Sequence, residues 1–148
     1  MRAVLQRVSR ARVVVAGDTV AEIEHGVVAL VGVAEGDTAE DASSIARKIA
    51  EIRIFPGDGK PMNRSIADAG GSVIVVSQFT LLADTSRGRR PGFTGAAAPE
   101  AAEPLVGAVA QGLRDSGLTV GEGVFGAHME VELTNDGPVT ILLDTRER

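Results

Sequence analysis

The spacing of apolar residues divides this chain into a β-rich start, a helix, a second β segment, a second helix and a β-rich end. Val4, Val8 and Val13 to Val15 lead into Ala16-Gly17-Asp18-Thr19, a hairpin-type turn, and Val20 to Ile23 and Val27 to Val33 follow. These runs predict a meander of three or four strands over residues 2 to 33. The period then lengthens. Ala42, Ile45, Ala46, Ile49 and Ile52 recur at helical spacing, and Asp37 with Glu40 three positions on reads as a capping box. One amphipathic helix is predicted at about 38 to 52, with its apolar face over the sheet.

Pro56-Gly57-Asp58-Gly59-Lys60-Pro61 ends the Ile52 to Phe55 run and predicts a flexible surface loop rather than a domain linker. Val73 to Leu82 is too apolar for a half-exposed strand and predicts a central one, buried on both faces, with Ser77 to Leu81 at its end. Asp84 to Pro99 is rich in Arg, Gly and Ala and predicts a long loop of the kind that carries function. Leu105, Ala108, Val109, Gly112 and Leu113 outline the buried stripe of a second helix, with Pro99 in its first turn and Gly117 as its stop. Pro104 should kink that helix or delay its start. Met129, Val131 and Leu133 alternate as a half-buried strand, and Val139 to Leu143 forms the last strand after Asn135-Asp136-Gly137. The fold class expected is α/β: a single domain over residues 1–148, a mixed β-sheet flanked by two helices.

Composition supports one globular domain, with 44% hydrophobic and 24% charged residues, and only the Arg146-Glu147-Arg148 end is expected outside the folded body. Cysteine is absent, which excludes disulfides, thiolate catalysis and zinc–thiolate sites. Arg2 and Arg7 interrupt any apolar signal-peptide core, and no run approaches the ~20 residues of a membrane span, so a cytoplasmic protein is expected. A net charge of −5 argues against nonspecific coating of nucleic acid, which depends on releasing many counterions. Local charge still matters, because screening acts over about 8 Å at physiological salt. Arg87, Arg89 and Arg90 are therefore able to hold a phosphate, although charge pattern alone makes them a solvated loop. With no Trp or Tyr and only Phe55, Phe79, Phe93 and Phe125, the chain lacks a platform for stacking successive bases. RNA recognition, if any, would centre on one terminal nucleotide and the backbone.

Parts for a catalytic triad are scarce. The histidines are His25 and His128, and each reads as structural. Ser77, Gln78, Phe79 and Thr80 stand where a strand end offers unpaired N–H groups to a developing oxyanion; taken alone, the two hydroxyls would serve the local backbone. Gly137-Pro138 reads as the close of a turn and the opening of a strand. Only about 5–6% of X-Pro bonds are cis in folded proteins, so the sequence does not assign a cis bond here.

SQFTL at 77–81 and NDGPVT at 135–140 occur together with the start MRAVLQRVSRARV, IRIF followed by GKPMN, ADTSRGRRPGF and VFGAHMEVELTNDGPVTILLD. In these segments, in this order and over nearly the whole chain, the sequence resembles the D-aminoacyl-tRNA deacylases, also called D-tyrosyl-tRNA deacylases. The resemblance implies a homodimeric proofreading hydrolase, without an obligatory metal or organic cofactor, that cleaves the ester between an amino acid and the terminal adenosine of tRNA. It puts Ser77, Gln78, Phe79 and Thr80 in the catalytic pocket, with the Phe79 and Thr80 amides as oxyanion donors. Thr80 as a covalent nucleophile stays open, though no base is evident for it and the substrate's vicinal ribose hydroxyl is a substitute. The resemblance further implies a cis Gly137-Pro138 bond that enters the partner subunit's pocket and excludes L-amino acids, leaving glycyl-tRNA cleavable. Arg87, Arg89 and Arg90 are then expected at the tRNA acceptor end. Arg64 after Asn63 and a second helix poor in aromatics depart from the family pattern. A noncatalytic RNA-binding dimer is the rival from another class.

Overall fold

The spine of the sheet is β1, Arg2–Val15, in a computed structural model that describes residues 1–147. One side of β1 pairs antiparallel with β8, Glu130–Asp144; the other pairs first with β3, Gly26–Gly32, and then with β2, Asp18–Ile23. β3 continues parallel to β6, Ser72–Ser77, and β6 parallel to β7, Val120–Glu122. The sheet is therefore mixed, as expected. Parallel neighbours need crossover connections. Here these are the helices α1, Ala39–Glu51, between β3 and β6, and α2, Pro99–Asp115, between β6 and β7.

Both helices bury their apolar stripes on the same face. Ile45, Ile49, Val109 and Leu113 join Ala3, Leu5, Val27, Ala29, Val31, Val73 and Val75 in one core. Each fully buried Val, Leu or Ile among them contributes about 1.5–3 kcal/mol. The opposite face is half closed by the sheet itself: Val8, Ala11, Val13, Ile23, Val28, Ile74 and Val76 pack against Met129, Val131 and Leu133. Leu30, Val4 and Leu142 align in register across β3, β1 and β8 on that face, and Leu142 is 77% exposed. No helix among the described residues is long and apolar enough to cross a membrane.

Several local expectations are corrected. The capping box of α1 lies one residue later, where the Asp41 carboxylate accepts the Thr38 N–H at 2.9 Å, while Asp37 accepts the Ala34 N–H at 2.7 Å. The segment expected as a flexible loop is a hairpin of β4, Phe55–Gly57, and β5, Lys60–Arg64. Asp58 and Gly59, at φ 50 and 75, form its tight turn, and turn-rich composition does not separate the two outcomes. Pro104 stands inside α2 without delaying it, and the buried stripe is Ala102, Val106, Val109, Ala110 and Leu113. Ala108, assigned to that stripe from the sequence, is exposed because it belongs to the adjacent face. At the C-terminal end Arg146 is held, its guanidinium donating to Glu35 O at 2.9 Å; Arg148 lies outside the described residues.

Candidate active site

β6 is central, between β3 and β7, but it stops at Ser77, sooner than the apolar run to Leu82 suggests. Gln78 N–H still donates to Val31 O at 2.8 Å, and the chain then coils into a single 3-10 turn, Phe79–Leu82. The turn closes through Leu81 N–H to Gln78 O at 3.2 Å. The N–H groups of Phe79 and Thr80 precede that first bond, so the turn does not use them. Gln78 Nε2 donates to Thr80 Oγ1, and the exposed Phe79 ring meets Phe93 edge-on at 5.0 Å. Arg2 fastens the far end, with Nη1 donating to Leu81 O at 2.8 Å and Nε to Asp144 at 3.2 Å. Burial works to raise the Asp144 carboxyl, but the Arg146 amide and the Arg2 guanidinium outweigh it and hold it below the usual range.

Downstream, the long loop is closed at its base by Asp84 and Gly92, which exchange backbone hydrogen bonds of 2.7 and 2.9 Å. The Ser86 hydroxyl, and then its amide, hold the Asp84 carboxyl below its ordinary value. Arg87, Arg89 and Arg90 crown this loop, exposed and without a carboxylate partner among the described residues. Phe93 links the base of the loop to the Phe79 turn, so the structure brings residues 77–82 and the arginine loop together.

Gly137-Pro138 behaves differently from a turn between strands. β8 is continuous through it, with Gln6 opposite Thr140 and Val8 opposite Asn135, so residues 136–139 bulge out against Arg7 alone. The Gly137-Pro138 bond is cis and both residues are exposed. The base of the bulge is stitched down: Asn135 Nδ2 donates to Arg7 O at 2.8 Å and to Val139 O at 3.0 Å. Arg7 is a buried residue, 8% exposed, whose side chain donates to Asp136 O at 3.1 Å and Ile54 O at 2.7 Å and lies over the Phe55 ring. Sequence reasoning missed Arg2, Arg7 and Asn135. The available signal was parity, because Arg7 follows Ala3 and Leu5 on the core-facing side of β1.

Level with Ser77 across the sheet lie Val31, Ala3 and Leu143. Pro138 is three strands across and five residues along from Ser77, about 20 Å away at the usual strand spacing and rise. Within one chain the two motifs therefore do not share a pocket. His25 sits at the opposite end of the β3–β6 pair, with Nε2 2.8 Å from Ala69 O, in keeping with a structural role. His25 also lines a concavity of about 850 Å³ over β1, the end of β2 and β8, away from both motifs, where Arg12 pairs with Glu132. Among the described residues no three His, Asp or Glu side chains converge as metal ligands.

A mixed sheet with two crossover helices on one face and a helical turn ending its central strand defines a class of small α/β proteins. A probable eukaryotic D-amino acid tRNA deacylase shares this fold, with a TM-score of 0.81 at 17% identity, covering 96% of this chain and 97% of that one. The c-Myc DNA Unwinding Element Binding Protein is nearer, with a TM-score of 0.91 at 36% identity, covering 98% and 99%. The family model for D-Tyr-tRNA(Tyr) deacylase matches residues 4–144. A D-aminoacyl-tRNA deacylase of Deinococcus radiodurans is 55% identical, covering 97% of this chain and 99% of its own, and one of Roseiflexus castenholzii is 56% identical, covering 98% and 92%. This chain belongs to the D-Tyr-tRNA(Tyr) deacylase family, a family of hydrolases.

Proposed function

We propose that this protein is a D-aminoacyl-tRNA deacylase that works in the cytoplasm as a homodimer, releasing free D-amino acid and tRNA. The observation that carries the arrangement is the separation of about 20 Å between the Ser77–Thr80 segment and Gly137-Pro138, obtained from strand spacing and rise. One aminoacyl group does not span it, so a pocket that uses both motifs takes one from each of two chains. A two-fold dimer supplies that pairing twice over. The row of Leu30, Val4 and Leu142, half-buried at the first two and exposed at Leu142, supports such a partner, since it is apolar and lies on the strands that carry the two motifs or pair with them.

In this reading the ester carbonyl lies at the start of the 3-10 turn, and the Phe79 and Thr80 N–H groups receive the charge that develops on its oxygen. Loss of one such donor typically lowers a rate by about 10²- to 10³-fold. Water adds to the carbonyl carbon, the ester C–O bond breaks, and the ribose oxygen leaves with a proton, assisted by the vicinal hydroxyl of the substrate. Thr80 is a poor nucleophile here, because its hydroxyl is met by the Gln78 amide, which is not a base. The partner's Gly137-Pro138 excludes the L-side chain. Sparing L-substrates by four decades requires about 5–6 kcal/mol, within reach of a bulge stitched at its base. Glycine offers nothing to exclude and is cleaved as well. Arg87, Arg89 and Arg90 hold phosphates of the acceptor end, and no metal or organic cofactor is required.

The test is a deacylation assay with matched D-, L- and glycyl-tRNA. The wild-type chain should cleave the D- and glycyl forms, Pro138→Ala should begin to cleave the L-form, and Thr80→Ala should keep turning over. A covalent intermediate lost with Thr80→Ala would make Thr80 the nucleophile instead. The c-Myc DNA Unwinding Element Binding Protein is named for binding nucleic acid. A noncatalytic RNA-binding dimer remains the second reading, and it predicts that the ester is protected rather than released.

A further inference from the structure

We propose that Gly32 is a positioning residue for this reaction: its missing side chain seats the Gln78–Phe79 peptide and thereby aims the Phe79 N–H. The inference rests on the oxyanion reading above. Gly32 is the buried last residue of β3, and its φ lies outside the left-handed region, so the backbone there would accept other residues. Space is what forbids them. A Cβ on Gly32 would lie 2.8 Å from the Gln78 carbonyl oxygen, 2.7 Å from Leu82 Cδ2 and 3.0 Å from Leu81 Cβ.

The Leu82 contact is with the end of a flexible side chain and yields easily. The Gln78 carbonyl does not. It accepts the Leu81 N–H at 3.2 Å, and Gln78 N–H is fixed on Val31 O at 2.8 Å, immediately before Gly32. The peptide unit is planar, so the Gln78 C=O and the Phe79 N–H are opposite ends of one rigid plate. Pushing the oxygen off an added methyl swings the N–H the other way. Catalytic donors must stay within about 0.5 Å of their productive positions, which is the size of the shift such an overlap demands. A methyl on Gly32 therefore acts on the aim of one oxyanion donor without touching substrate.

The experiment compares Gly32→Ala with Gly95→Ala, where an added methyl meets nothing within 4 Å, and with the double variant Gly32→Ala/Leu82→Val, which removes the yielding side-chain overlap and keeps those with the Gln78 carbonyl and Leu81 Cβ, both on the turn. On D-aminoacyl-tRNA, kcat should fall about tenfold or more in both Gly32 variants, towards the range for a lost oxyanion donor, with KM within about twofold and Gly95→Ala unchanged. Discrimination against the L-form should persist, since Gly137-Pro138 is untouched. Unchanged kcat in folded Gly32→Ala, recovery of kcat on adding Leu82→Val, or failure of both variants to fold would each overturn the inference. A wild-type chain that leaves D-aminoacyl-tRNA intact would overturn the functional reading instead, and the wild-type arm distinguishes the two.

Discussion

The turn after β6 and the bulge in β8 are both irregular backbone beside a regular strand, yet they are fastened in opposite ways. The turn is held by strand-end contacts and the Arg2 bond to Leu81 O, and it leaves the N–H groups of Phe79 and Thr80 unused. The bulge is held at its root by side chains, Arg7 and Asn135, while its tip stands free in solvent. One offers unused donors and the other a projecting tip. In the proposed dimer the tip of one chain meets the donors of the other.

The strongest way to break this contrast is to cut the root of the bulge. Arg7→Met leaves Ile54 O and Asp136 O without their charged donor, and two such bonds predict a loss of about 2–4 kcal/mol in denaturant unfolding. The folded fraction should keep its rate on D-aminoacyl-tRNA and lose discrimination against the L-form. Unaltered selectivity in a destabilised variant would mean that the tip does not depend on its root.

Replacing Arg87, Arg89 and Arg90 by Ala sharpens the other side, because their loop joins the turn through Phe93 and not the bulge. KM for D-aminoacyl-tRNA should rise by about tenfold at low salt, its dependence on salt should flatten, and kcat should hold. A fall in kcat with constant KM would assign the arginines to the chemistry itself.

The smallest effect concerns pH. The folded Asp84 carboxyl is held below its ordinary value by the Ser86 hydroxyl and amide, so its contribution to loop order is present above the ordinary carboxylate value of about 3.9 and is lost as pH falls through the lower folded value. Hydrogen exchange at the Ser86 amide should quicken in that acidic window while the Asn135 stitch, which has no titrating partner, stays protected. Equal loosening at both places would show that acid acts on the whole fold.

Strands and helices were legible wherever one apolar period ran unbroken, as in Val27 to Val33 and Ala42 to Ile49. The Val73 to Leu82 run exposed the weakness of that signal, since apolarity continues through the 3-10 turn and only hydrogen bonding marks the stop at Ser77. Turn chemistry misled at Pro56 to Pro61, where the same residues close a hairpin, and at Asn135 to Pro138, where they bulge within one strand. The motif residues were singled out through resemblance. What holds them was not, because Arg7 and Asn135 act across more than a hundred residues of sequence and Gly32 acts by having no side chain.

The Gln78–Phe79 peptide has one further consequence. Every amino acid except proline carries the same main-chain N–H, so almost any codon change at Phe79 exchanges the ring and leaves the donor in place. Only proline at position 79 deletes that group outright, and the other vulnerable loci are neighbours that crowd or release it.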